Sequence, residues 1–434
     1  MDWHKAEYRM LCCFGLKTYY PSDDHMSYGK DDPKAFNPSK FDPNQWVETV
    51  KAGGFDGLVL TLKHHEGFAI WQTGTTDYSV KGIPWKDGKG DILRDVAEAC
   101  RKGGVTIGVY MSLIDKRFEL DKPEKYKDYG EFYYDQLKEI CSNYGPIDEF
   151  WFDGYKAERL KIDYKRITDL IRNKQPNAVI YDSGTMVKYL PERCLGWKGT
   201  HGGASADQKY RIKTDGKLRW YPNEPSLILQ GNWYHHREPI VDLRQIQDYY
   251  LSTVGHGVTP LMNVPPNPHG LFDADSITRL KEFKAWVTRL HSNDPSRNVG
   301  VEVRADSVRG NDPKFGPWSA LDSNYETYYA TDDNVTNAVI EVNLGKVQEI
   351  DGFIIQEYIP LGQRIDGYQI ECFVDGKWIQ VFAGKKIGYK RIILKGRSSA
   401  MRTVIPATDR VRLKITNALA CPLINNFKVI GSMK

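Results

Sequence analysis

Three groups of residues in this 434-residue chain are of types and spacing that could act chemically on a polar substrate. The run Ile147-Asp148-Glu149-Phe150-Trp151-Phe152-Asp153 reads as a buried strand that ends on one carboxylate, and Gly154 follows at once. Phe, Trp and Ile hide most of such a strand, so Asp153 would be held stiffly in an apolar mouth where its placement and pKa can be tuned for catalysis. The plainer role for a strand-end aspartate is to cap the next helix or turn. The second group is Lys63-His64-His65-Glu66-Gly67-Phe68 with Trp71 close behind, and the third is Gln230 with Trp233, His235 and His236. Adjacent histidines after a strand can ligate a metal, but His64 and His65 lack a carboxylate-rich set at helical spacing, so no metal site is expected. Donors to sugar hydroxyls, with Trp71 and Trp233 as apolar platforms, are the more economical role; ordinary loop histidines bonded to backbone are the alternative.

These residues fall at the ends of predicted strands. Short apolar runs at Leu11 to Leu16, Gly57 to Leu62, Val105 to Met111, Ile147 to Asp153, Ala178 to Tyr181, Leu227 to Gln230 and Pro260 to Val264 alternate with amphipathic helices. The helices are placed near Pro43 to Ala52, Asp91 to Lys102, Tyr126 to Asn143, Lys161 to Arg172, Leu243 to Val254 and Ala274 to Leu290. Seven or eight such units in about 290 residues fit a (β/α)8 barrel better than an open sheet. No glycine-rich phosphate loop follows the first strand, which weighs against a dinucleotide fold. A barrel builds its sites at the carboxyl ends of its strands, which gathers Cys13, His64, His65, Tyr110, Asp153, Gln230 and Trp233 into one polar and aromatic ring.

After about Pro295 the helical period gives way to short alternating strands such as Val339 to Leu344, Tyr368 to Val374 and Val411 to Ile415, which predict an antiparallel β-sandwich. Residues 1–295 are thus expected to form the barrel and 296–434 the sandwich. The formal net charge of +4 is spread without a basic run, which argues against a nucleic-acid partner. No apolar stretch approaches the 18 residues of a membrane span. Seven cysteines without zinc spacing read as mostly buried thiols. Acids precede the apolar run Met10 to Leu16 and no small-residue cleavage site follows it, so it is not read as a signal peptide.

The barrel portion resembles the α-L-fucosidases of glycoside hydrolase family 29. The resemblance runs through Phe36-Asn37-Pro38-Ser39-Lys40-Phe41-Asp42 with Gln45-Trp46, Ala52-Gly53-Gly54-Phe55, Lys63-His64-His65-Glu66-Gly67-Phe68 with Trp71, and Thr76-Asp77-Tyr78-Ser79-Val80. It continues through Gly145-Pro146-Ile147, Trp151-Phe152-Asp153-Gly154 and Leu261-Met262-Asn263-Val264-Pro265-Pro266. Gly316-Pro317-Trp318-Ser319-Ala320-Leu321-Asp322, Glu341 to Gly345 and Tyr368-Gln369-Ile370 with Gly376-Lys377-Trp378 look like a discoidin (coagulation factor 5/8 type C) sandwich, a module that either binds carbohydrate or serves as scaffold.

The resemblance implies a retaining glycosidase that needs no cofactor, acts on an oligosaccharide or glycoconjugate, and is met in the periplasm or outside the cell. Asp153 would be its nucleophile, with His64, His65, Trp71, Tyr110 and Trp233 around the sugar. Retention requires a second carboxyl group roughly 5 to 5.5 Å away as acid and base. One branch of the family supplies it from a Gly-Asn-Glu loop, where this chain has Gly199-Thr200-His201-Gly202-Gly203. The other supplies it from a Trp-Glu segment, which lines up with Trp220-Tyr221-Pro222-Asn223-Glu224. Glu224 is therefore the leading acid/base and His201 the alternative. Cys13 stands where the family has a sugar-binding histidine, and Gln230 where it has an arginine. These changes leave open a different glycon such as a galactoside, or a degenerate barrel that binds glycans without cleaving them.

Overall fold

The computed structural model describes residues 2–20, 28–121, 126, 128–154, 160–181, 186, 189, 194–195, 211–214, 217–220, 223–236, 239–397 and 404–433. For residues 2, 194–195, 211–214 and 217–220 it describes the backbone alone.

A short helix α1 (Asp2–Lys5) leads into eight parallel strands, β1 (Arg9–Cys12), β2 (Gly57–Lys63), β3 (Thr106–Ser112), β4 (Glu149–Asp153), β5 (Val179–Tyr181), β6 (Cys194–Leu195), β9 (Ser226–Ile228) and β10 (Leu261–Asn263). They form one sheet in the order β6-β5-β4-β3-β2-β1-β10-β9. Between β6 and β9 the chain inserts an antiparallel hairpin, β7 (Arg211–Thr214) with β8 (Lys217–Trp220). Helices α2 (Pro43–Gly53), α3 (Ile92–Gly103), α4 (Lys116–Asp121), α5 (Tyr129–Asn143), α6 (Tyr164–Lys174), α7 (Leu243–Ser252) and α8 (Ala274–Ser292) connect the strands. This is the TIM-like arrangement that the strand–helix alternation predicts.

Aspartate sets where most of these helices begin. Asp42, Asp91, Asp128, Asp163 and Asp242 each accept a hydrogen bond from a backbone N–H of the first turn, which satisfies donors that a helix start leaves unpaired. With the helices fixed at one end, each strand's register decides what reaches the barrel interior. Tyr110, Trp151 and Tyr181 are direct neighbours across β3, β4 and β5, and Ser112 is the neighbour of Asp153 two residues further on.

Two expected strands lie earlier than the apolar runs suggested. The first is Arg9–Cys12, so Cys13 comes just after its end; β9 is Ser226–Ile228, so Gln230 is also beyond the strand.

The remaining strands form a β-sandwich. One sheet runs β11 (Glu302–Ala305), β13 (Ala338–Gln348), β18 (Thr408–Ala418), β15 (Ile365–Val374), β16 (Lys377–Gly384). The facing sheet runs β12 (Tyr329–Ala330), β19 (Leu423–Gly431), β14 (Ile350–Glu357), β17 (Arg391–Leu394). All these pairings are antiparallel.

The sandwich is seated on the barrel. Ile354, Ile392, Leu394 and Ile430 belong to the same buried cluster as the barrel–helix core. The His4 ring stacks on Tyr389 at 3.7 Å, and Glu7 pairs with the buried Lys390 while accepting from Tyr250 at 3.0 Å.

Candidate active site

Asp153 is the last residue of β4, at the carboxyl end of the sheet, and its side chain is 40% exposed. Gly154 follows with φ +142°, a backbone conformation that side chains rarely adopt, and turns the chain away directly behind the carboxylate. The Tyr110 hydroxyl donates to Asp153 Oδ2 at 2.6 Å. Burial, and then the neighbouring Asp153 charge, push the Tyr110 phenol well above its ordinary pKa, so it stays protonated and keeps donating.

The paired histidines converge on the same carboxylate. His65 Nε2 lies 3.8 Å from Asp153 Oδ2, while its Nδ1 is 2.6 Å from Ser112 Oγ, which orients the ring. His64 packs on His65 at 4.1 Å, lies parallel to Tyr110 at 5.8 Å, and meets the Tyr234 ring edge-on at 5.6 Å. Glu66 is buried behind it, with Oε2 3.5 Å from His64 Nδ1. The loop that carries both histidines is anchored below by Lys63, whose buried ammonium donates to Asp115 and Gln136 at 2.9 Å each. One ligand atom from each of His64, His65 and Asp153 falls within a 4.8 Å span. A borderline cation could use such a trio, and the same atoms are of types that hydrogen-bond sugar hydroxyls.

Aromatic rings make the floor. Trp151 stacks flat on Tyr181 at 3.9 Å and on Tyr110 at 5.2 Å. Cys13 and the half-buried Trp233 join this cluster. The Cys13 thiol accepts from Thr61 at 3.5 Å, and burial pushes its pKa up to about 12, so it remains a neutral, weak partner.

Three sequence-stated roles do not survive this geometry. Trp71 is fully buried and its indole donates to Glu139 of α5 at 3.1 Å, so it packs the outer barrel wall and offers no face to a sugar. The Gln230 amide donates to Ser276 of α8 at 3.1 Å, which turns it toward the helix layer. Glu224 stands two residues before β9, at the amino end of the barrel, whereas Asp153 is at the carboxyl end. Its Oε2 accepts from Trp151 Nε1 at 2.9 Å from beneath the aromatic floor, so it does not face Asp153 across a scissile bond. His201 lies outside the described residues. Tyr234, next to Trp233, shapes the site without having been a sequence candidate; Trp151 and Glu66 stand inside the candidate runs and Tyr181 at the end of its expected strand, and the structure gives each of them a place beside the candidates.

A carboxylate at the carboxyl end of a barrel strand, ringed by histidines and stacked aromatics, is the arrangement of a barrel enzyme acting on carbohydrate. Comparison with known proteins specifies the kind. The family model for α-L-fucosidase matches residues 2–292, and that for the F5/8 type C domain matches residues 302–418. Alpha-L-fucosidase 1 of Arabidopsis thaliana is 31% identical over 415 residues, covering 91% of this chain and 80% of that protein. The crystal structure of a putative α-L-fucosidase from Bacteroides thetaiotaomicron superposes with a TM-score of 0.89 at 30% identity, covering 99% of this chain and 95% of that one. A Ruminococcus gnavus family 29 fucosidase solved in complex with fucose gives 0.88 at 27% identity, covering 99% and 94%. The chain belongs to the α-L-fucosidase family, glycoside hydrolase family 29, and carries an F5/8 type C domain behind the barrel. No helix among the described residues is long and apolar enough to cross a membrane.

Proposed function

We propose that the chain is a retaining glycosidase that releases terminal α-L-fucosyl residues from glycans outside the cytoplasm, with Asp153 as nucleophile. The observation that carries this reading is the hydrogen bond from Tyr110 to Asp153 Oδ2 at 2.6 Å, with His65 Nε2 3.8 Å from the same oxygen. A carboxylate so held can present Oδ1 to an anomeric carbon. Attack forms the Asp153–glycosyl ester as the bond to the leaving oxygen breaks, and water then opens the ester with net retention. His64 and His65 are assigned to the sugar hydroxyls, with Trp233 as apolar platform. With Glu224 below the floor, the acid/base role passes to His201, which stands where the resembling branch has its glutamate; an imidazole can transfer a proton near neutral pH.

The thiol of Cys13 in place of an imidazole favours a second reading, in which the pocket binds a glycan but cleaves simple fucosides poorly. One experiment separates the two. Treatment with 2-deoxy-2-fluoro-α-L-fucosyl fluoride is expected to add one fluorofucosyl mass to the peptide carrying Asp153, and Asp153→Ala should abolish turnover of aryl α-L-fucosides while still binding the sugar. Wild-type binding without labelling or release supports the lectin-like reading, and label on another residue removes Asp153 from its role.

A further inference from the structure

Beneath the aromatic floor lies a polar layer that glycoside hydrolysis does not use. Arg9 opens β1, Glu149 opens β4 and Glu224 precedes β9, so all three enter the barrel from its amino end, and none is more than 1% exposed. Arg9 pairs with Glu149, and Trp3 of α1 donates to the same carboxylate at 3.0 Å. Gly57 leaves the room this requires, since a Cβ there would fall 2.5 Å from Arg9 Nη2.

One cation and two acids would leave excess negative charge where no water reaches, and proteins resolve that by protonating one acid. Glu224 is the group that yields: burial first, then the charge of Glu149 and a hydrogen bond with it, hold its carboxyl well above the usual carboxylate range. The Oε1 atoms of Glu149 and Glu224 are both buried without another hydrogen-bond partner, and a proton held on Glu224 supplies one to each.

The other oxygen of Glu224 points at the floor and takes the Trp151 indole N–H at 2.9 Å. Trp151 is clasped between Tyr181 and Tyr110, and Tyr110 holds Asp153. Resting on the reading of Asp153 as nucleophile, we propose that Glu224 is a positioning residue, its Oε2 fixing the Trp151 ring so that the ring stack holds Tyr110 against Asp153.

The test compares the full chain with Glu224→Gln, Glu224→Leu, Trp151→Phe and the double variant Trp151→Phe/Glu224→Leu. Gln reproduces a protonated Glu, accepting from Trp151 and donating to Glu149, so kcat on an aryl α-L-fucoside should stay within about threefold of wild type with an unchanged near-ultraviolet circular dichroism spectrum. Glu224→Leu should lower kcat at least tenfold with KM moved much less, and alter the tryptophan bands. In the Trp151→Phe background the same change should have little further effect, because the bond it removes is already gone. The proposal is overturned if Glu224→Gln is as inactive as Glu224→Leu, if Glu224→Leu keeps wild-type kcat, or if its full loss persists without the Trp151 N–H. Should Glu224→Leu fail to fold, Trp151→Phe breaks the same bond from its other end, and an unchanged kcat there overturns the proposal equally. Turnover by Asp153→Ala, run alongside, would instead remove the nucleophile assignment on which the proposal rests.

Discussion

The Tyr110 hydroxyl donates to the Asp153 carboxylate at 2.6 Å, a bond that joins the neighbouring strands β3 and β4. A hydrogen bond to a charged group contributes about 1.5–3 kcal/mol. Tyr110→Phe keeps the ring stack and removes only this bond. It is expected to lower kcat on aryl α-L-fucosides by about 10- to 100-fold with the fold unchanged. Steady-state kinetics beside a thermal melt check this, and a Phe variant as fast as wild type would show that Asp153 needs no such clamp.

Cys13 is buried beside Tyr110 and Tyr234 and is too weak a donor to grip a hydroxyl. Cys13→His is predicted to raise kcat/KM for α-L-fucosides about tenfold or more by adding a strong donor, at some cost in melting temperature from crowding. An unchanged or lower kcat/KM in a folded Cys13→His protein would mean that the thiol belongs to a pocket shaped for another glycon.

Glu224 makes stability fall with rising pH. Its folded-state pKa is raised, so above its ordinary value of 4.5 the folded chain holds a proton that the unfolded chain has lost. Each further pH unit then costs about 1.4 kcal/mol, up to the folded pKa. Glu224→Gln has no proton to take up, so its stability relative to wild type should grow as pH rises above 4.5. Denaturant unfolding at several pH values measures the gap, and a constant gap would show that Glu224 is ionised in the folded protein.

His4 acts in the opposite direction. Burial lowers its pKa to about 3, so between 6.5 and about 3 the unfolded chain binds a proton that the folded chain refuses. Stability is therefore lost as pH falls through that window, with a slope of up to about 1.4 kcal/mol per pH unit from this residue. His4→Phe, which keeps a ring on Tyr389, should flatten the acid limb of the stability curve. An acid limb as steep as that of wild type would assign the loss to other groups.

Strand β4, with Asp153 at its end, was legible in the sequence because its signal is local, an apolar run closed by one acid inside a strand–helix repeat. The helices were legible through their apolar period, but α5 and α6 begin at Tyr129 and Tyr164 rather than near Tyr126 and Lys161, because the capping aspartates Asp128 and Asp163 fix where the first turn closes. Glu224 was misplaced because a Trp-Glu spacing carries no direction. A residue that precedes a barrel strand enters at the amino end, and that rule outranks the spacing. Trp71 shows a different limit, since an indole behind a histidine loop can face a ligand or the helix layer, and only the partner, Glu139, decides. Gln230 turned away for a comparable reason: β9 stops at Ile228, which frees the chain to rotate before residue 230.

The shared core between barrel and sandwich bears on how such a chain can evolve. Ile354, Ile392, Leu394 and Ile430 complete the packing of the barrel's own helix layer, and Lys390 neutralises Glu7 beside Tyr250. A gene rearrangement that inherited residues 1–295 alone would bare those contacts and strand an acid, so the fragment would arrive sticky and short of partners. Exchange of the sandwich for a different ancillary module is open only to replacements that bring an equivalent apolar face and a cation for Glu7. The two parts are therefore expected to have changed together, as one inherited unit.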